Sequence, residues 1–127
     1  MGPRKVQILS DGTDCPRLPI VEGEGEARAV AWPGVGAYLR SMHRISLAAG
    51  SRTSRLQHPM EAVYYVMAGS AAATDPDAGR VHELVSGSMV LIDPGTPYNF
   101  VAGSDGAELV GGPCPADPAM YGHLPGQ

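Results

Sequence analysis

The chain has 127 residues, a mass of 13.2 kDa, a net charge of -4 and 43% apolar residues, which describes one folded domain and excludes a disordered segment. Its 17 glycines and 12 prolines, about a quarter of the chain, work against long helices. A pI near 5.4 argues against a nucleic-acid partner, and no apolar run approaches the roughly 18 residues of a membrane span, so no membrane partner is expected.

Residues 1–30 are weakly patterned. Asp11-Gly12 and Cys15-Pro16 carry turn chemistry, and Glu22-Gly-Glu-Gly-Glu26 is too polar to bury much. An edge strand or arm is expected around Lys5–Leu9, able to pair with a partner subunit. The Met1–Lys5 start is not followed by the apolar run of a leader, so a cytoplasmic location is expected. Cys15 and Cys114 form no CxxC pair and read as reduced structural thiols. Trp32 reads as a packing anchor.

From Tyr38 onward the period becomes 2. Ser41, His43, Ile45 and Leu47 alternate with Arg40, Met42, Arg44 and Ser46, the signature of a strand with one buried face, and this parity turns His43 inward. After the turn at Ala49-Gly50-Ser51, Leu56 and His58 share one face of a short strand that Pro59 ends. Ala62–Met67 is the strongest strand, rich in β-branched and aromatic residues and closed by Gly69. Short strands follow at Ala71–Thr74, Val81–Val85, Ser88–Ile92, Tyr98–Ala102 and Glu108–Val110. Asp75-Pro-Asp-Ala-Gly79, Ser86-Gly87, Asp93-Pro-Gly-Thr-Pro97 and Gly103-Ser-Asp-Gly106 separate them.

Strands at this spacing with no helical period between them imply an all-β sandwich or barrel in a single domain. The proline-rich tail after Gly111 reads as irregular chain packed across one face of the barrel.

Charge is uneven along the chain. Residues 1–55 hold 8 basic and 5 acidic side chains, whereas 56–127 hold 1 basic and 8 acidic. This describes either a solvated dipolar surface or a place where Arg40, Arg44, Arg52 and Arg55 meet an anionic ligand.

Gly50, Leu56, His58, Glu61, Val-Tyr-Tyr-Val66 and Gly69, followed by Gly87, Asp93-Pro-Gly95 and Tyr98, resemble the two-motif pattern of the cupin superfamily. The resemblance covers residues 38–112 and implies a double-stranded β-helix, or jelly-roll barrel, with residues 1–30 as an arm and 113–127 as a tail. Within that superfamily, His58-Pro-Met-Glu-Ala-Val-Tyr-Tyr-Val66 and Leu109-Val-Gly-Gly-Pro113 are similar to ectoine synthases.

Metal-binding cupins place two histidines and a glutamate in the first motif and a histidine in the second. Here those positions are Leu56, His58, Ala62 and Tyr98, so one ligand survives. Glu61 matches the glutamate of ectoine synthases, while their other two ligand positions fall on Val90 and Tyr98. The resemblance also implies a homodimer, to which the arm near Val6 would contribute by adding to a neighbour's sheet edge.

The candidate catalytic residues are His58, Glu61, Tyr98 and His43. His58 is either satisfied by a backbone carbonyl or serves as ligand or general base. Glu61, if inside the barrel, must be paired, metal-bound or protonated. Tyr98 and Tyr64 could donate hydrogen bonds to a substrate carbonyl, and Arg40, Arg44 or Arg55 could meet a substrate carboxylate. His82 and His123 read as surface residues.

The cofactor is expected to be none or a single divalent iron or zinc held by His58 and Glu61. The leading expectation is an enzyme that cyclises, isomerises or dehydrates a small, acidic metabolite through an acid–base pocket. The alternatives are a non-catalytic small-ligand-binding module and a metal-dependent dioxygenase.

Overall fold

The computed structural model describes residues 4–124; residues 1–3 and 125–127, the ends of the expected domain, lie outside the described residues. Among the described residues nine strands form: β1 (Arg17–Leu18), β2 (Val21–Glu22), β3 (Gly25–Ala31), β4 (Met42–Leu47), β5 (Arg52–Thr53), β6 (Glu61–Asp75), β7 (Arg80–Val85), β8 (Met89–Ile92) and β9 (Asn99–Cys114). The remaining regular elements are 3-10 turns at Pro33–Val35 and Pro118–Tyr121. Among the described residues, no helix is long and apolar enough to cross a membrane.

Every pairing is antiparallel. One path runs β1-β3-β4-β9-β5-β2, while β6 pairs with β9 along one edge and with β7 and β8 along the other. The long strands β6 and β9 are therefore the spine of an all-β jelly-roll barrel. Alternation works as period 2 requires: Ile45 and Leu47 of β4, Ala62, Tyr64 and Val66 of β6, and Phe100 and Leu109 of β9 are buried inside.

Gly69 does not end a strand as its sequence context suggests. It turns a corner within one. Its φ is +77° and the register with β9 shifts on both sides of it, so β6 bends from one wall of the barrel into the next. A Cβ at position 69 would lie 2.1 Å from the Gly106 carbonyl oxygen. This contact explains why the segments expected at Ala62–Met67 and Ala71–Thr74 fuse into β6, and those at Tyr98–Ala102 and Glu108–Val110 into β9.

Two other expectations change. Lys5–Leu9 belongs to no strand, and the sheet begins at Arg17, well inside the expected arm of residues 1–30. Small Ala27 and Ala29 take the buried positions of β3, which pairs alongside β4, while Glu26 and Arg28 alternate with them and pair with each other. Trp32 packs against Tyr121 with ring centroids 5.2 Å apart, the anchor role expected of it.

Candidate functional site: a histidine between a carboxylate and two phenols

The site begins with a backbone contact. Leu56 and Tyr98 exchange N–H···O bonds of 2.8 Å, and the Gly95 N–H donates to the His58 carbonyl. This isolated bridge sets the His58 and Tyr98 side chains next to each other. Parity on β6 adds Tyr64 from the facing wall. The tail adds a residue that no strand pattern could supply: Asp117 caps the turn Pro118–Tyr121 by accepting from the Ala119 N–H, and its other oxygen reaches His58.

A buried chain of four side chains results. Asp117 Oδ2 lies 2.7 Å from His58 Nδ1, His58 Nε2 lies 2.7 Å from the Tyr98 hydroxyl, and that hydroxyl lies 2.6 Å from the Tyr64 hydroxyl. The proton positions follow from the partners. A carboxylate can only accept, so Nδ1 carries a hydrogen and the Nε2 of a neutral ring accepts from Tyr98, which in turn accepts from Tyr64. Burial pushes the Tyr98 phenol far above its ordinary value, reinforced by the neighbouring Tyr64, and burial does the same to Tyr64 against the opposing hydrogen bond from Tyr98. Both are proton-bearing phenols at neutral pH. Phe100 packs against both rings and keeps that end of the chain apolar.

A second histidine stands nearby. His43 is fully buried, its Nε2 lies 2.7 Å from the Tyr121 hydroxyl, and its Nδ1 has no partner among the described residues. Burial, with a smaller contribution from the charge of His58, lowers its pKa to about 4, so the ring is neutral at physiological pH. Gly112 closes this corner: a Cβ there would stand 2.6 Å from Ser41 Oγ and 3.0 Å from His43 Nδ1. Asp117 and Tyr121 belong to one 3-10 turn, so a single tail segment fastens itself to both buried histidines.

Of the residues proposed from sequence, His58, Tyr64 and Tyr98 join in one hydrogen-bonded chain inside the barrel and His43 is buried on Tyr121, while the others stay outside. Glu61 is exposed at the start of β6, because its neighbour Ala62 takes the inward position. Arg40 is exposed in the loop before β4. Arg44 points outward from β4 and holds Glu108 at 2.9 Å, and Arg55 forms a two-pronged surface pair with Asp77. The Arg44 and Arg55 guanidinium groups are already paired on the outer surface. His82 and His123 are exposed, and His123 donates to the Arg17 carbonyl.

The donor set does not fit the metal suggested by the superfamily resemblance. Both His58 nitrogens are engaged, and Glu61 lies outside. Among the described residues, no group of three or more His, Cys, Asp or Glu side chains could hold a metal ion.

Asp117, Tyr121 and Ser41 were missed by sequence reasoning. Only Ser41 carried a signal, its parity with His43. Outside this buried cluster, His58 and Asp117 line an open cleft of about 480 Å³ with Ile20, Leu56, Ala119 and Met120.

Comparison with known proteins gives a consistent picture. A polyketide cyclase, RemF from Streptomyces resistomycificus, is 27% identical over 93% of this chain and 82% of its own, with a TM-score of 0.65. An RmlC-like cupin from Shewanella frigidimarina is 18% identical over 90% of this chain and 96% of its own, with a TM-score of 0.69. A predicted oxalate decarboxylase from Thermotoga maritima is 19% identical over 79% and 90%, with a TM-score of 0.64. No curated protein sequence matches significantly. The family model described as the cupin domain matches residues 43–110, more than half of the chain and the stretch from β4 into β9, and the protein belongs to that family.

Proposed function

We propose that this cupin is an enzyme that moves a proton on a small, carbonyl-bearing metabolite in a cyclisation, isomerisation or dehydration, with His58 as the acid–base group. One observation carries the reading: the two nitrogens of His58 have different surroundings. Nδ1 faces Asp117 at the floor of the open cleft, whereas Nε2 is held in the dry interior by a pair of phenols.

The phenol pair allows His58 to work in both directions. With the hydrogens running from Tyr64 to Tyr98 to Nε2, the neutral ring bears its hydrogen on Nδ1, the form that faces Asp117. When both O–H groups reverse, Nε2 donates to Tyr98, Tyr98 donates to Tyr64, and Nδ1 is free to act as a base. In that second arrangement Nδ1 takes a proton while Nε2 still donates to Tyr98, and the imidazolium so formed gives the proton back from Nδ1. A proton taken from carbon at Nδ1 and returned from Nδ1 to a second carbon, an oxyanion or a leaving hydroxyl balances each of the three reactions, with no redox step.

Asp117 occupies Nδ1 in the closed structure. Substrate therefore reaches His58 when the turn Pro118–Tyr121 lifts. The similarity to a polyketide cyclase supports substrates in which carbon acids stand beside carbonyls. For the metal-dependent dioxygenase reading, the described residues supply no donor set.

The test is deuterium uptake in D2O at carbons next to the carbonyl of small keto acids and poly-β-ketones, followed by proton NMR. Uptake above the buffer rate that disappears in His58→Gln is expected. No uptake by the native protein, or uptake that survives the substitution, sinks the proposal. The carboxylate already seated on His58 favours a second reading, a non-catalytic module in which an acidic ligand takes the place of Asp117. Ligand-induced shifts of the His58 resonances without deuterium uptake would select that reading.

A further inference from the structure

The inner face of β7 changes character along its length. Leu84 stands opposite Ala71 of β6 and both are buried, but the next two positions on the same face are His82, opposite Ala73, and Arg80, opposite Asp75. His82 and Arg80 are exposed although they occupy the core side of their strand. The reason is a gap. β7 and β8 pair with different stretches of β6 and not with each other, so the wall of the barrel is open between them.

The gap holds a cavity of about 210 Å³. Buried Ala73, Ile92 and Tyr98 give it an apolar floor; Arg80 and His82 line it from β7, and Asp93 and Thr96 line it from the turn after β8. It shares no lining residue with the cleft at His58. Asp75 also lines it, but Oδ1 of that carboxylate accepts from the N–H groups of Asp77 and Ala78 and is tied to its own turn. Arg80 is the single basic residue of 56–127, and neither it nor Asp93 forms an ion pair among the described residues. A lone anion in this cavity would meet the carboxylates and a lone cation would meet the guanidinium. The complementary ligand therefore carries both charges, one at each end of an apolar body.

We infer that this cavity binds a short-chain ω-amino acid, its carboxylate on Arg80 and His82, its ammonium on Asp93 and its methylenes on the apolar floor. The inference does not depend on the proposed chemistry.

An NMR titration of the nitrogen-15-labelled protein with 4-aminobutanoate tests it. Amides of 80–82 and 90–93 should shift with a dissociation constant of about 1 mM or tighter. Butanoate and butylammonium, each carrying one of the two charges, should bind at least about tenfold more weakly, and this comparison uses the native protein and so does not rest on a variant's folding. Arg80→Gln and Asp93→Asn should each weaken 4-aminobutanoate at least about tenfold with an unchanged far-ultraviolet spectrum. No shift at about 10 mM ligand overturns the inference. So does butanoate or butylammonium binding as tightly as 4-aminobutanoate, an affinity unchanged in both variants, or shifts confined to residues 117–124 around the cleft at His58.

Discussion

The Asp117 carboxylate and the His58 imidazole meet at 2.7 Å, although 59 residues separate them and both are almost wholly buried. This contact occupies the nitrogen that the proposed reaction needs. Asp117→Ala should therefore lower stability by about 2 kcal/mol, the cost of a lost hydrogen bond between a buried ring and a carboxylate. It should also lower KM and leave kcat within a few-fold in the deuterium-uptake assay. A fall in kcat of a hundredfold or more, with KM unchanged, would instead make Asp117 an orienting partner of the catalytic ring.

The two phenols should not be equivalent. Tyr98 bonds both His58 and Tyr64, so Tyr98→Phe strands an acceptor on one side and a hydroxyl on the other, costing roughly 1–3 kcal/mol for each. Tyr64→Phe leaves Tyr98 still bonded to His58. Thermal melts should rank Tyr98→Phe well below Tyr64→Phe, and the loss of proton exchange, about a hundredfold or more for Tyr98→Phe, should follow the same order.

Stability should be dome-shaped in pH. The folded pKa of His43 is about 4 against an ordinary value of 6.5, so between these limits the unfolded chain binds a proton that the folded chain refuses. Stability is complete above pH 6.5 and falls on acidification by up to about 3 kcal/mol near pH 4. On the alkaline side, burial raises Tyr121 to about 12, and Tyr64 and Tyr98 shift in the same direction. The unfolded phenols ionise first, so stability falls again above about pH 10. Denaturant titrations across this range check both limbs, and His43→Gln should flatten the acid limb alone.

Glu61→Gln should change little. The side chain is exposed at the start of β6, so a stability change within about 0.5 kcal/mol and undiminished proton exchange are expected. Loss of exchange in this variant, with an unchanged melt, would place the carboxylate in the reaction and contradict the assignment to His58.

How much of this was legible in the sequence depended on where each residue stands. Period 2 found the inner face of β4 and placed His43 on it. The same parity puts Arg44 outside, opposite His43, and Glu61 outside, opposite Ala62, so the alternation already opposed the roles that the resemblance and the charge asymmetry suggested for them. The fusion of four expected short strands into β6 and β9 was not legible, because Gly69 punctuates a strand at a corner as readily as at an end. Only its approach to Gly106, across the sheet, separates the two cases. Asp117 and Tyr121 were hidden for a related reason. They lie in proline-rich chain with no period, and their partners His58 and His43 belong to distant segments.

The tail turn holds these two histidines through side chains only four residues apart. Displacing Asp117 from His58 while Tyr121 stays on His43 would require this short 3-10 turn to come apart. The two bonds should thus break as a unit, and a double-mutant cycle across Asp117 and Tyr121 should show strong coupling. The mouth of the barrel then has two states: one with both imidazoles claimed by the protein itself, and one with both offered to whatever enters.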